Sequence, residues 1–175
     1  MKKIFLFLGV PALLGFSNAN ADVVASFSTV PVASCPVCVA LDPAGLQANA
    51  FGNPYYGSVT GYDVWATPAE HLAVANGIGV DFTPTGGPID LNQIKLFGLS
   101  SHYKTAVPMT YNISFYHPGV AVPDVMPFTI IARAVTVYNF SAYPQAKNLS
   151  KISVTYPATS YIGKTDFIEV HFTQH

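Results

Sequence analysis

Apolar and polar residues alternate along most of this chain in short runs rich in Val, Ile, Phe and Tyr, broken by Pro and Gly. A two-residue period is the pattern of a half-buried strand, whose successive side chains point to opposite faces. It predicts strands over Val23–Val30, Tyr62–Ala66, Ile78–Phe82, Ile89–Leu99, Thr110–Tyr116, Phe128–Phe140, Lys151–Tyr156 and Phe167–Thr173. Thr83-Pro84-Thr85-Gly86-Gly87-Pro88 is a strong turn cluster between two of them. In the last strand, Phe167, Glu169, His171 and Thr173 share one face, and Ile168, Val170 and Phe172 share the other. The apolar set is expected inward and His171 outward.

Helical signals are short. Pro68–Ala75 reads as a helix of at most two turns, with Thr67 as its cap and Glu70 at the third helical position. Asp42–Ala50 is expected to hold another turn. The 14 Pro and 13 Gly spread through the chain exclude long helices. The pattern predicts an all-β protein: an antiparallel β-sandwich, jelly-roll-like, with at most one or two short helical turns. No internal repeat or low-complexity linker divides it.

The start of the chain follows a different grammar. Met1-Lys2-Lys3 is basic, Ile4–Phe16 is an apolar run of 13 residues, and Ala19-Asn20-Ala21 is a small-residue cleavage signature. The run is shorter than the ~20 residues that a spanning helix needs, and Pro11 interrupts it. Residues 1–21 are therefore expected to be a secretory signal peptide cut after Ala21, leaving Asp22–His175 as a single β-sandwich domain. The expected destination is the medium or the cell surface, with the periplasm as the alternative. No Cys stands directly after the cleavage signature, no later stretch is long and apolar enough to span a bilayer, and no membrane span is expected in the mature chain.

Charge narrows the function classes. Charged residues make up 10% of the chain, where about a quarter is usual. Without Lys2 and Lys3, six Lys and Arg face nine Asp and Glu, a net charge of −3. With no basic patch, nucleic acid is excluded as a partner, because phosphate neutralisation needs clustered Lys and Arg. A charge-poor surface rich in Tyr and Phe offers little resistance to association.

The stretch Ile78–Phe97 (IGVDFTPTGGPIDLNQIKLF), followed by Tyr111–Tyr116 (YNISFY), resembles the β-sandwich domains of bacterial choice-of-anchor secreted and surface proteins. In those a Phe-Thr-Pro-type turn precedes a strand reading apolar-x-x-Ile-x-Leu, and an aromatic-ended strand leads into a Gly/Pro loop, here begun by His117-Pro118-Gly119. The resemblance covers about 40 residues. It implies the fold and an extracellular setting, and no catalytic residue.

Candidate chemistry is sparse. Cys35-Pro-Val-Cys38 lacks the strand–helix context of a thioredoxin-type motif, and in an exported chain a local disulfide is the expected state. Zinc held by both cysteines with His171 and His175 meets a geometric objection: on a strand those two His stand about 13 Å apart. Asp81 and Asp90 flank the Gly-rich turn, where oxygen ligation of Ca²⁺ competes with the commoner role of Asp in turns. No nucleophile motif is present, and the carboxylates are dispersed. No catalytic residue, metal or cofactor is assigned. Tyr55, Tyr56 and Trp65 lie in or beside Gly/Pro-rich loops and are the ligand-binding candidates, since exposed aromatics stack on sugar faces. The sequons at Asn112, Asn139 and Asn148 are read as chance.

Three functions remain in order. The first is a non-catalytic exported β-sandwich in a structural or adhesive role, self-associating or built into an extracellular matrix or fibre. The second is a carbohydrate-binding module contacting a glycan. The third is a small secreted hydrolase or thiol oxidoreductase.

Overall fold

The structure is a computed structural model, which describes residues 21–27, 39–52, 63–67, 71–75, 77–100, 108–131, 134–155 and 162–175. Twelve strands form two six-stranded antiparallel sheets. The first sheet contains β1 (Asp22–Ala25), β4 (Asp63–Thr67), β5 (His71–Ala75), β7 (Ile89–Ser100), β10 (Val135–Asn139) and β12 (Ile162–Gln174), with the spatial order β10-β7-β12-β5-β4. Strand β1 also pairs with β12. The second sheet contains β2 (Val39–Asp42), β3 (Leu46–Gly52), β6 (Gly77–Pro84), β8 (Pro108–Tyr116), β9 (Asp124–Ile131) and β11 (Lys151–Thr155), ordered β2-β3-β6-β11-β8-β9. From β5 onward only the β8–β9 connection stays within one sheet, the jelly-roll-like habit of crossing between layers. Among the described residues the helical content is one 3₁₀ turn, Pro144–Ala146, and no helix is long and apolar enough to cross a membrane.

Alternation explains β8 directly. Met109, Tyr111, Ile113 and Phe115 face inward, while Pro108, Thr110 and Asn112 face water. Phe128 and Ile130 of β9, Ile152 and Val154 of β11, and Val80 and Phe82 of β6 complete the inner face of the second sheet. Ile89, Leu91, Ile94, Leu96, Phe167, Val170 and Phe172 supply the first. The layers meet through aromatic edges. Phe82 stands T-shaped on Phe167, with ring centroids 5.0 Å apart, and Phe115 stands on Phe140 at 5.9 Å. A buried hydrogen bond of 3.0 Å joins the Tyr111 and Thr165 hydroxyls across the sandwich. Burial pushes the Tyr111 phenol well above its usual pKa and keeps it neutral.

Several expectations need correction. The helix expected over Pro68–Ala75 is overturned in its described part: His71–Ala75 is β5, paired with β4 on one side and with Lys164–Phe167 of β12 on the other. An isolated two-turn helix is marginal in water, whereas a strand between two others finds main-chain partners along both edges. Asp42–Ala50 holds a turn at Pro43–Gly45, but a strand follows it: β3 starts at Leu46 and pairs with β2 and β6. Phe128–Phe140 is not one strand. It divides into β9 and β10, which lie in different sheets. The turn cluster 83–88 likewise joins two sheets rather than closing a hairpin. Gly87 there adopts φ 126°, a conformation only glycine takes without strain.

Phe167 is buried, not outward with Glu169 and His171. The pairing of β12 with β7 skips Ile168, so two residues of β12 stand against one on its partner. This β-bulge reverses the phase. Thr165 and Phe167 point inward before it, and Val170 and Phe172 after it. Val170, Phe172 and outward His171 follow the sequence expectation. A second register shift, between His171 and Phe172 of β12, leaves Asn92 of β7 as the extra residue.

Candidate functional site

The bulge at Asn92 builds the polar site of the first sheet's outer face. Its carbonyl accepts the Phe140 N–H at 2.7 Å and the Ser141 hydroxyl at 3.4 Å, drawing in the end of β10. Its side-chain amide donates to Asp22 Oδ1 at 2.7 Å and to Thr173 Oγ1 at 2.9 Å. The result is an open hollow of about 330 Å³ lined by Asp22, Asn92, Gln93, Asn139, Ser141 and His171. Strands β1, β7, β10 and β12 all contribute to it or end at it.

His171 organises the floor. Its Nδ1 lies 2.9 Å from Asp22 Oδ2 and its Nε2 3.1 Å from Glu169 Oε2, and the protonated ring donates to both. Lys95 Nζ donates to the other Glu169 oxygen at 3.0 Å. The order Lys95–Glu169–His171–Asp22–Asn92–Thr173 is therefore one hydrogen-bonded array across three strands. Partial burial of the imidazole opposes its charge, but the bonds to Asp22 and Glu169 outweigh it and hold the His171 pKa above its ordinary value. Burial likewise opposes the Asp22 charge, and the bonds from His171 and Asn92 overcome it, lowering the pKa. Glu169 is lowered by its bonds from His171 and Lys95.

The signs of these shifts predict a stability optimum. A histidine with a raised folded pKa contributes fully below its unfolded value of about 6.5 and loses that contribution as pH rises through the folded one. Lowered carboxylates contribute above their unfolded values of about 4 and lose that contribution as pH falls through the folded ones. Stability is thus expected to be greatest in mildly acidic solution and to decline on both sides. Because the carboxylates reach water, the alkaline decline is modest, about 1 kcal/mol or less. Denaturant midpoints measured across pH check it: His171→Gln should flatten the alkaline limb, and an unchanged limb would refute the assignment.

The array is a set of matched donors and acceptors. In its protonated form His171 donates through both ring nitrogens and has no lone pair to act as a base. The Ser141 hydroxyl, which lines the hollow, donates to the Asn92 carbonyl. Amides, a carboxylate and a hydroxyl around an open hollow suit hydrogen bonding to a polar ligand.

The remaining candidates are dispersed. Cys35, Cys38, Tyr55 and Tyr56, together with residues 1–20, lie outside the described residues. Of Trp65 the structure describes the backbone, which lies in β4 opposite Ala73 of β5. His175 does not join His171: its Nε2 bonds Asp90 Oδ1 at 2.7 Å. Asp90 also binds Lys147 and accepts the Asn148 N–H. Asp81, in the other sheet, pairs with Lys151 at 3.2 Å, so the two aspartates do not converge on an ion. Among the described residues no group of three or more His, Cys, Asp or Glu is arranged to hold a metal.

The array itself is absent from the sequence-based candidates. Its members are far apart in the chain, and the pairings of β12 with β7 (Glu169 opposite Lys95) and with β1 (Asp22 opposite Thr173) unite them. The local signal is the adjacent polar pair Asn92-Gln93, which interrupts the alternation of β7.

No protein-family model matches the chain, and no curated protein matches it. Among solved structures, the crystal structure of an F5/8 type C domain of a Bacteroides fragilis protein is similar, with a TM-score of 0.44 and 10% sequence identity, over 80% of this chain and 98% of that one.

Proposed function

We propose that the chain is an exported, non-catalytic β-sandwich that works by contact, in a structural or adhesive role at the cell surface or in an extracellular matrix. One observation carries this reading. The exposed large apolar residues among those described are all aliphatic, and most lie on or beside two edge strands: Val120, Val122 and Val125 around the start of β9, Ile131 at its end, and Val135 and Val137 on β10. The aromatic side chains in that region are turned inward or half-buried, where Phe128, Tyr138, Phe140 and Tyr143 pack on one another. Exposed aliphatic residues at sheet edges, with the neighbouring rings turned inward, suit protein contact better than sugar stacking.

Three sequence features agree: the export signal ahead of β1, the Cys35/Cys38 staple expected of an oxidising compartment, and the resemblance of Ile78–Phe97 to choice-of-anchor domains. Sedimentation velocity over a wide concentration range tests the reading, with electron microscopy of concentrated samples. Concentration-dependent oligomers or fibres are expected, and a monodisperse monomer throughout would overturn it.

The polar hollow favours one second reading, a carbohydrate-binding module that hydrogen-bonds sugar hydroxyls through Asn92, Asn139 and Asp22, with Asp22 and the Asn92 side-chain oxygen accepting, rather than by ring stacking. A glycan array with the intact protein and with Asn92→Ala separates the two readings. A hit lost in the variant supports binding there, and no hit excludes it.

A further inference from the structure

Sheet edges are normally guarded against pairing with other chains, by charge, by Pro or by shortness. Among the described residues, four edge strands follow the rule: β1, β2, β4 and β9 each contain an aspartate, and β9 adds Pro127. The fifth, β10, reads Val135-Thr136-Val137-Tyr138-Asn139, with no charge, no Pro and no Gly. Its Val135 and Val137 side chains are each 55% exposed.

The main chain of β10 is also oriented for pairing. The Phe140 N–H donates to Asn92 of β7, so by the alternation of an antiparallel ladder the groups of Tyr138 and Thr136 turn towards β7. Those of Val135, Val137 and Asn139 turn to the open side. Two copies of this strand match in antiparallel register about a two-fold axis through Val137. Val137 then faces its own copy and Val135 faces Asn139, so every outward N–H and C=O of the three residues gains a partner. The outer face brings valine onto valine at the centre, with an amide at either end. A self-complementary surface of this kind closes as a dimer instead of growing without limit.

We propose that the partner at this edge is a second copy of the chain, paired β10 to β10 to give one continuous sheet across the dimer. This rests on the contact-protein reading above and names the partner for it. It also sets the two polar hollows on the same face, flanking the two-fold axis, because Asn139 lines each hollow and lies in the paired strand.

The test compares Val137→Lys with Val24→Lys, a control valine exposed on the outer face of β1, by sedimentation velocity. Circular dichroism establishes that both are folded. Association at least tenfold weaker in Val137→Lys alone is the expected result. If the native chain associates and Val137→Lys leaves that unchanged, the β10 edge is refuted and the contact reading stands. A native chain that is monomeric at the highest concentrations refutes both. Should Val137→Lys fail to fold, Val137→Cys in the full chain carrying Cys35→Ser and Cys38→Ser decides. Paired strands bring the two copies of residue 137 within disulfide range, so a reducible dimer is expected, and its absence overturns the proposal.

Discussion

Replacing Phe82 by alanine is expected to remove about 4 kcal/mol of folding stability, within the usual range for deleting a buried phenylalanine. Phe82 is fully buried on β6, with Ala48 of β3 on one side and Ile152 of β11 on the other. Its ring stands edge-on to Phe167 of the opposite sheet at 5.0 Å and lies 6.3 Å from Phe27. Truncation therefore opens a cavity where three chain segments from both layers meet, and takes away the aromatic pair as well as the apolar area. Small Ala48 cannot fill the space, and β6 is held on both edges, so little collapse is available. For a domain with a typical stability of about 5–15 kcal/mol, the loss is a large share. Denaturant unfolding gives the readout, and Phe82→Leu should lose well under half as much. Equal losses in the two variants would show that the ring's shape does not matter.

Asp42→Ala is expected to cost about 3 kcal/mol, by a different mechanism. Asp42 is only 5% exposed, and its carboxylate accepts two main-chain N–H bonds, from Phe27 across the sandwich and from Ala44 in its own turn at 2.8 Å. Phe27 is held there at φ 57°, a left-handed conformation that a bulky residue occupies only when its surroundings enforce it. Loss of the carboxylate leaves the buried Phe27 N–H without this acceptor and releases the strained residue that carries a core ring. Asp42→Asn, which keeps one acceptor oxygen, should fall between the native chain and Asp42→Ala. Hydrogen exchange at the Phe27 amide reports the same bond. Fast exchange is expected in Asp42→Ala, and unchanged protection would refute the role assigned to the carboxylate.

What the sequence made legible follows from how local each signal was. The alternation of β8, with four inward apolar residues at perfect spacing, needed no tertiary information. Positions at which alternation breaks were harder. Phe167-Ile168 in β12 and Asn92-Gln93 in β7 are pairs of like character where the period demands unlike ones. Both are bulges, and a bulge moves every later side chain to the opposite face. The β5 segment misled because Thr67, Pro68 and Glu70 imitate a helix start, while the pairing that makes it a strand comes from Lys164–Phe167, some 90 residues on. Strands β9 and β10 merged in the reading because no Pro or Gly marks the corner between them. The site was hidden for a related reason. Asp22, Asn92, Glu169 and His171 become neighbours only when β12 pairs with both β7 and β1.

That pairing also fixes when the fold can be completed. Strand β12 lies inside the first sheet, where β7 runs along one edge while β5 and β1 divide the other between them, β5 taking Lys164–Phe167 and β1 taking Val170–Thr173. None of these three strands pairs with either of the others. A chain delivered N-terminus first therefore has its earliest strand waiting for its latest, and the first sheet has no centre until the final residues arrive. Long-range closure of this kind is slow. Completion of the first sheet is thereby tied to delivery of β12, whereas the second sheet contains none of it.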